Sequence, residues 1–144
     1  MTVTRKTLMS LFLIVTPEHF FATAQTVEDA RQARKKEDYP TAFRILSQLA
    51  NEGNAQGQFD LGLLYFNGLG VPKNDVEAVN WCRKAAEQGL AEAQASLGAI
   101  YQKALGGVLK NDVEAVKWYR KAAEQGDAYA QADLAAMYYE GLGV

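Results

Sequence analysis

The chain has 144 residues, one domain's worth. Apolar residues make up 49% and charged residues 22%, a balance that excludes both a disordered chain and a membrane bundle. Its formal net charge of −2 supplies no basic face for nucleic acid or anionic lipid.

The first residues stand apart from the rest. "MTVTRKT" carries Arg5 and Lys6, "LMSLFLIV" (Leu8 to Val15) is a short apolar run interrupted only by Ser10, and "ATA" (Ala22 to Ala24) has the small residues of a cleavage site. That order predicts a secretory signal peptide over residues 1–24. The apolar run is too short to cross a bilayer, which takes about 20 residues, so no stable membrane insertion is expected after cleavage. The mature chain then starts at Gln25 and is exported, periplasmic or secreted. Without Arg5, Lys6 and Glu18 it keeps 13 Lys and Arg against 16 Asp and Glu.

Residues 25–54 read as a degenerate helical hairpin. "TVEDARQARKK" (Thr26 to Lys36) is its first helix. The basic run "RQARKK" lies among Glu28, Asp29, Glu37 and Asp38, as a solvated helix face does. "DYPTAFRILSQLANEGN" (Asp38 to Asn54) is its second helix, with Pro40 in the first turn.

From Ala55 the chain repeats itself. "NDVEAVNWCRKAAEQG" (Asn74 to Gly89) and "NDVEAVKWYRKAAEQG" (Asn111 to Gly126) agree at fourteen of sixteen positions, 37 residues apart. "AQGQFDLGLLYFNGLGV", "AEAQASLGAIYQKALGGV" and "AYAQADLAAMYYEGLGV" align as the segment that precedes each block. The units are 55–90, 91–127 and a partial 128–144. A period of 36 or 37 residues points to stacked helical hairpins.

The residues of each block support helices independently. At about 100° per residue, Ala78, Val79, Trp81, Cys82, Ala85 and Ala86 share one arc, and Glu77, Asn80, Arg83, Lys84 and Glu87 fill the opposite one. Asn74 with Glu77, and Asn111 with Glu114, have the spacing of a capping box. Gly89 and Gly126 stand where a C′ glycine ends a helix. The preceding segments, with Phe59, Leu61, Leu63, Leu64, Tyr65 and Phe66, are apolar nearly all round and must be covered on several sides. Small Gly62, Gly98 and Ala135 at equivalent positions allow close helix approach. The first helix of each pair is therefore expected to be inner and the second outer. The expected fold is an all-α solenoid of antiparallel hairpins, in which no hairpin buries its own apolar face.

The pattern "LGLLYFNGLGV…NDVEAVNWCRKAAEQG" resembles the Sel1-like repeat, a relative of the tetratricopeptide repeat. The resemblance rests on Leu61, Gly62, Tyr65, Gly68, Gly70, Val71, Ala78, Trp81, Ala85, Ala86 and Gly89, and on their counterparts from Leu97 to Gly126. Cys82, Ala104 and Ala135 depart from it, standing for a Tyr, a loop Gly and a helix Gly. The resemblance implies a non-catalytic protein–protein interaction scaffold or adaptor that binds a partner protein on its concave face. In the first full unit it maps that face onto Gln56, Phe59, Leu63, Phe66 and Asn67. In the second it gives Glu92, Ala95, Ala99, Gln102 and Lys103, and in the third Tyr129, Ala132, Ala136, Tyr139 and Glu140. Among these, Phe59, Phe66, Asn67, Gln102, Lys103, Tyr129, Tyr139 and Glu140 are the expected partner-binding residues. The alternative it implies is β-lactam binding or weak β-lactamase-type activity, suggested for some cysteine-rich relatives.

Little catalytic chemistry is available. His19 is the sole histidine and lies in the expected signal peptide. The mature chain would lack the base of a Ser-His-Asp or Cys-His arrangement and the usual zinc ligands. Cys82 is the lone cysteine, so it forms no internal disulfide, and its place in the apolar arc predicts a buried, unactivated thiol. "GLGVPK" (Gly68 to Lys73) lacks phosphate-loop spacing and reads as a turn. Asp75, Glu77, Asp112 and Glu114 are explained by helix starts, and Trp81 and Trp118 by packing. No catalytic, cofactor-binding or metal-binding residue is expected. Val144 falls just as another second helix should begin, so Leu134, Met137 and Tyr138 are expected to be half covered. Weak self-association through this last helix follows from that expectation.

Overall fold

The computed structural model describes residues 25–144, so the expected signal peptide lies outside the described residues. Within them the regular structure is helical throughout: α1 (Val27–Lys35), α2 (Tyr39–Asn51), α3 (Ala55–Asn67), α4 (Asp75–Glu87), α5 (Ala91–Lys103), α6 (Asp112–Glu124) and α7 (Ala128–Glu140). Each helix packs against its neighbours in the chain, and the hairpins stack as a solenoid.

The core shows why stacking is required. One cluster joins Ala30 and Ala33 of α1, Ile45 and Leu46 of α2, and Leu61 and Leu64 of α3. The next joins Cys82 and Ala86 of α4 to Ala93 and Leu97 of α5 and to Trp118 of α6. A further cluster joins Ala115 and Tyr119 of α6 to Ala130 and Met137 of α7. Each cluster draws on two successive hairpins, so a lone hairpin would leave half its apolar side chains wet. Leu46, Leu61, Leu64 and Leu97 are fully buried, and each contributes about 1.5–3 kcal/mol by leaving water.

Helix ends follow the chemistry of their sequences, with one correction. Asn74 Oδ1 accepts the Glu77 N–H at 3.1 Å, and Asn111 Oδ1 accepts that of Glu114 at 3.0 Å. The reciprocal half of the expected capping boxes is missing. The Asn74 and Asn111 N–H groups donate instead to Tyr65 O and Tyr101 O, each at 2.9 Å, tying the loop back to the helix before it. The capping box among the described residues is Thr26 with Asp29, at the start of α1. At the C-terminal end of α4, Gly89 N–H donates to Ala86 O and Leu90 N–H to Ala85 O. Gly89 has a φ of 97°, so this is a Schellman stop, and the pattern returns at Gly126.

The long loops are seated on the hairpin before them. A Cβ on Gly106 would lie 2.7 Å from Asp75 O at the start of α4 and collide with Val79 Cγ2. Gly70 meets Tyr39 O in the same way, and Gly143 meets Asp112 O. The backbone of "GLG" is thus pressed onto the first residue of the second helix of the preceding hairpin, where no side chain fits. This seating accounts for "GLGVPK" as a turn.

A glutamine relay runs between repeats. Gln58, Gln94 and Gln131 recur at one position and donate to Ala50 O, Ala86 O and Ala123 O, at 3.2, 3.2 and 3.1 Å. Those carbonyls lie in the last turn of the second helix of the preceding hairpin. Gln88 in turn donates to Gln58 Oε1 at 2.7 Å, and Gln125 to Gln94 Oε1 at 2.8 Å. Gln58 and Gln94 are buried polar residues, and these bonds are what make their burial tolerable.

Candidate protein-interaction face

The expected site residues all lie on the first helices of the hairpins. Phe59, Phe66 and Asn67 are on α3, Gln102 and Lys103 on α5, and Tyr129, Tyr139 and Glu140 on α7. Their environments differ. Phe66, Tyr129 and Tyr139 are 46%, 84% and 94% exposed. Phe59 is half-buried and packs beside the cluster that contains Cys82 and Leu97. Asn67 is exposed but turns its amide back onto Leu63 O at 2.8 Å. Lys103 and Glu140 are exposed. Gln102 is engaged within the stack: it accepts the Tyr119 hydroxyl at 2.9 Å and donates to Met137 Sδ at 3.2 Å. It therefore ties α5 to α6 and α7.

The small residues at Gly62 and Gly98 do different work. A Cβ on Gly62 would sit 3.1 Å from Ala78 O, so α3 and α4 approach closely there, as expected. A Cβ on Gly98 would sit 2.7 Å from the Tyr119 ring. The close approach at Gly98 is by that ring, which lies across the glycine and is fully buried.

One repeat earlier the ring has no counterpart, because Cys82 occupies the position of Tyr119. A cavity of about 210 Å³ lies there, between α3, α4 and α5. Phe59, Gly62, Leu63, Phe66, Cys82 and Ala99 are among its lining residues, and its walls are almost wholly apolar. The Lys73 ammonium sits 4.6 Å from the centre of the Phe66 ring and donates to Phe66 O at 3.0 Å, which steadies the rim. A shallower hollow follows along the same face, lined by Phe59, Glu92, Ala95, Ser96, Ala99, Asp127, Tyr129 and Asp133. The two share Phe59, Ser96 and Ala99. Phe59, Phe66 and Tyr129 are thus gathered around adjoining depressions, whereas Asn67, Lys103, Tyr139 and Glu140 line neither.

Cys82 faces this cavity as a protonated thiol. Its Sγ donates to Ala93 O at 3.4 Å, and burial pushes its pKa up to about 12. A thiol in that state is a poor nucleophile. The tryptophans belong to the packing. Trp118 is buried among Cys82, Ala86 and Leu97, with Lys121 Nζ 4.6 Å from its ring centre. Trp81 is half-buried against the cluster of Leu46 and Leu61, beneath Lys84. At the other end Met137 is fully buried, contrary to expectation, because α6 and Gln102 cover it. Leu134 is half-buried, and Tyr138 is exposed with its hydroxyl held by Arg120. Among the described residues no group of three His, Cys, Asp or Glu side chains is arranged to hold a metal ion. No described helix is long and apolar enough to cross a membrane.

The glutamine relay escaped the sequence reading although its signal was present. Gln58, Gln94 and Gln131 close "AQGQ", "AEAQ" and "AYAQ" at one place in each unit. A polar residue that recurs in register beside apolar ones signals a buried hydrogen bond.

The model of the Sel1 repeat matches residues 55–90, 91–127 and 128–144. The chain belongs to the Sel1-repeat family. A Sel1 repeat protein from Oxalobacter formigenes superposes with a TM-score of 0.77 at 43% identity, over 83% of this chain and 49% of that one. A protective antigen present in uropathogenic Escherichia coli strains, described as displaying an SLR fold, superposes with a TM-score of 0.71 at 33% identity. That match covers 84% of this chain and 30% of the antigen. An ERAD-associated E3 ubiquitin-protein ligase component of Arabidopsis thaliana is 35% identical over 77 residues. That stretch is 53% of this chain but 11% of the plant protein, so the chain spans only a small part of this relative's length. Sel1-repeat proteins generally mediate protein–protein interaction, and the family is mostly non-catalytic scaffolding.

Proposed function

We propose that this protein is a non-catalytic adaptor that binds a partner protein on the face built from α3, α5 and α7, and that it acts in the periplasm or outside the cell. The observation that carries the binding role is the display of Phe66, Tyr129 and Tyr139 on that face, while Trp118 and Tyr119 of α6 are buried. Large solvent-facing aromatics are typical interface anchors, and Phe66 and Tyr129 border the two depressions. Export is supported by the charged start, short apolar run and "ATA" of residues 1–24. Weak self-association through α7 belongs to the same reading, supported by half-buried Leu134 and exposed Tyr138.

The test is a crosslinking pull-down from the exported fraction of the native cell, read by mass spectrometry. The bait is compared with a variant carrying Phe66→Ala, Tyr129→Ala and Tyr139→Ala. A partner held by the bait and lost by the variant supports the reading. A partner held equally by both moves the site off this face. N-terminal sequencing of the exported protein tests the processing, with Gln25 as the expected first residue.

A further inference from the structure

The second full repeat serves as a template for what the first one lacks. In the second, the Tyr119 ring lies over Gly98, and its hydroxyl is held by Gln102 Oε1 at 2.9 Å. The corresponding residues of the first are Cys82, Gly62 and Phe66. A thiol takes the place of a hydroxyphenyl group, and the room of the missing ring stays open as the cavity of about 210 Å³. An apolar cavity of about 150 Å³ is enough to hold a benzene ring. Phe66 replaces the amide that receives the Tyr119 hydroxyl, and although Asp75 and Ser96 are among the lining residues the exposed wall is almost wholly apolar, which favours a ring without a hydroxyl.

The adjoining hollow has a different character. Glu92, Asp127 and Asp133 line it together with Tyr129. Glu92 and Asp133 are exposed, and neither forms an ion pair among the described residues. Asp127 uses its carboxylate to cap α7. An apolar seat is thus continuous, through Phe59, Ser96 and Ala99, with a patch of uncompensated negative charge. Ring-shaped space followed by acidic side chains is complementary to an aromatic side chain followed by basic ones.

We infer that the cavity left by Cys82 is a docking socket for an aromatic side chain, preferentially phenylalanine, of a partner polypeptide whose neighbouring Lys or Arg residues engage Glu92 and Asp133. The inference rests on the proposed binding role of the α3–α5–α7 face and names the chemistry of the partner.

The probes are three peptides: acetyl-Phe-Gly-Lys-Lys-amide, the same peptide with Glu-Glu in place of Lys-Lys, and the Lys-Lys peptide with Ala in place of Phe. Each is titrated into ¹⁵N-labelled protein. The Phe-Lys peptide is expected to shift the amides of Gly62, Cys82 and Ala99. It should bind about fivefold more tightly than the Glu-Glu peptide at low salt, a gap that closes as salt is added. Cys82→Tyr, which rebuilds the packing of the second repeat, should weaken Phe-Lys binding at least about tenfold, because the socket is then filled from within. Ala99→Leu narrows the cavity from the α5 side and should have the same effect, so the test survives if Cys82→Tyr does not fold. The pair Glu92→Gln and Asp133→Asn should abolish the Lys-over-Glu preference and leave the ring-dependent shifts.

Equal binding of the Phe and Ala peptides, shifts away from the cavity, or full binding by folded Cys82→Tyr and Ala99→Leu would overturn the inference. A native partner that survives Cys82→Tyr but is lost with the Phe66, Tyr129 and Tyr139 variant sinks the socket and leaves the face standing. A partner that survives both removes the face as well.

Discussion

Replacing Gln94 by alanine tests the relay that joins successive repeats. Gln94 is 5% exposed. It donates to Ala86 O at 3.2 Å and accepts from Gln125 Nε2 at 2.8 Å. Neither partner is orphaned by its loss, since Ala86 O keeps the Gly89 N–H and Gln125 keeps Gly89 O. The cost is therefore one buried and one part-buried hydrogen bond at about 1 kcal/mol each and one methylene at about 0.8 kcal/mol, together about 3 kcal/mol. For a chain of this length that is a fall in Tm of about 12 °C. Gln131 provides the internal control. It occupies the same place in the next unit, but is exposed and makes a single bond, to Ala123 O. Gln131→Ala should cost only about 0.5 kcal/mol. Urea unfolding followed by far-ultraviolet circular dichroism measures both, provided the slope with denaturant is unchanged. Equal losses at the two positions, or a loss below about 1 kcal/mol at Gln94, would refute the assignment of stability to buried relay bonds.

Further predictions concern backbone and thiol. Ala104 holds a left-handed conformation with φ 55°, which costs a side-chain-bearing residue about 1–2 kcal/mol. Ala104→Gly should stabilise by about 0.5–1 kcal/mol after the entropy lost to glycine is deducted, seen as a higher urea midpoint. Gly106→Ala should destabilise by about 3 kcal/mol, since its Cβ meets Asp75 O and Val79. Gly89→Ala, with φ 97° but open space around it, should cost about 1 kcal/mol; comparison of their urea midpoints separates seating from conformation. The buried Cys82 thiol keeps its proton up to about 12, against 9.0 ordinarily. Its contribution to stability is therefore complete below pH 9 and lost as pH rises from 9 toward 12. Cys82→Ala should flatten the decline of Tm over that window. At pH 8 a disulfide reagent should label native Cys82 far more slowly than the unfolded chain, because the buried thiol keeps its proton.

The helical period was legible because it is written twice. The arc of Ala78, Val79, Cys82, Ala85 and Ala86 needs only 3.6-residue geometry, and these residues are buried as that geometry requires. The Gly89 and Gly126 stops were legible because a left-handed residue there has few alternatives. What escaped depends on contacts between distant residues. Glu77 has capping-box spacing, but the Asn74 N–H is already taken by Tyr65 O, a partner nine positions away. Gln102 looks like a surface residue by its place on α5, yet Tyr119 and Met137 engage it from the next two helices. Cys82 stood out as a departure from its copy. That the departure opens a cavity required knowing that the Tyr119 ring lies on Gly98, which no spacing reveals. Phe66 and Tyr139 lie at a position that varies between units, but variation alone does not mark a free surface, since Gln102 at the same position is engaged by Tyr119 and Met137.

The seats of the loops all point one way. Gly70, Gly106 and Gly143 rest on Tyr39, Asp75 and Asp112, each in the hairpin already passed. Gln58, Gln94 and Gln131 likewise reach back to carbonyls that precede them in the chain. Each hairpin after the first therefore finds a seat for its loop and its glutamine already made when it emerges, and completes the core of the one before it. The array is suited to growth in the order of synthesis, like masonry laid in courses. Removing either the last course or the first should uncover chiefly the one course that rests against it, because packing runs between neighbours.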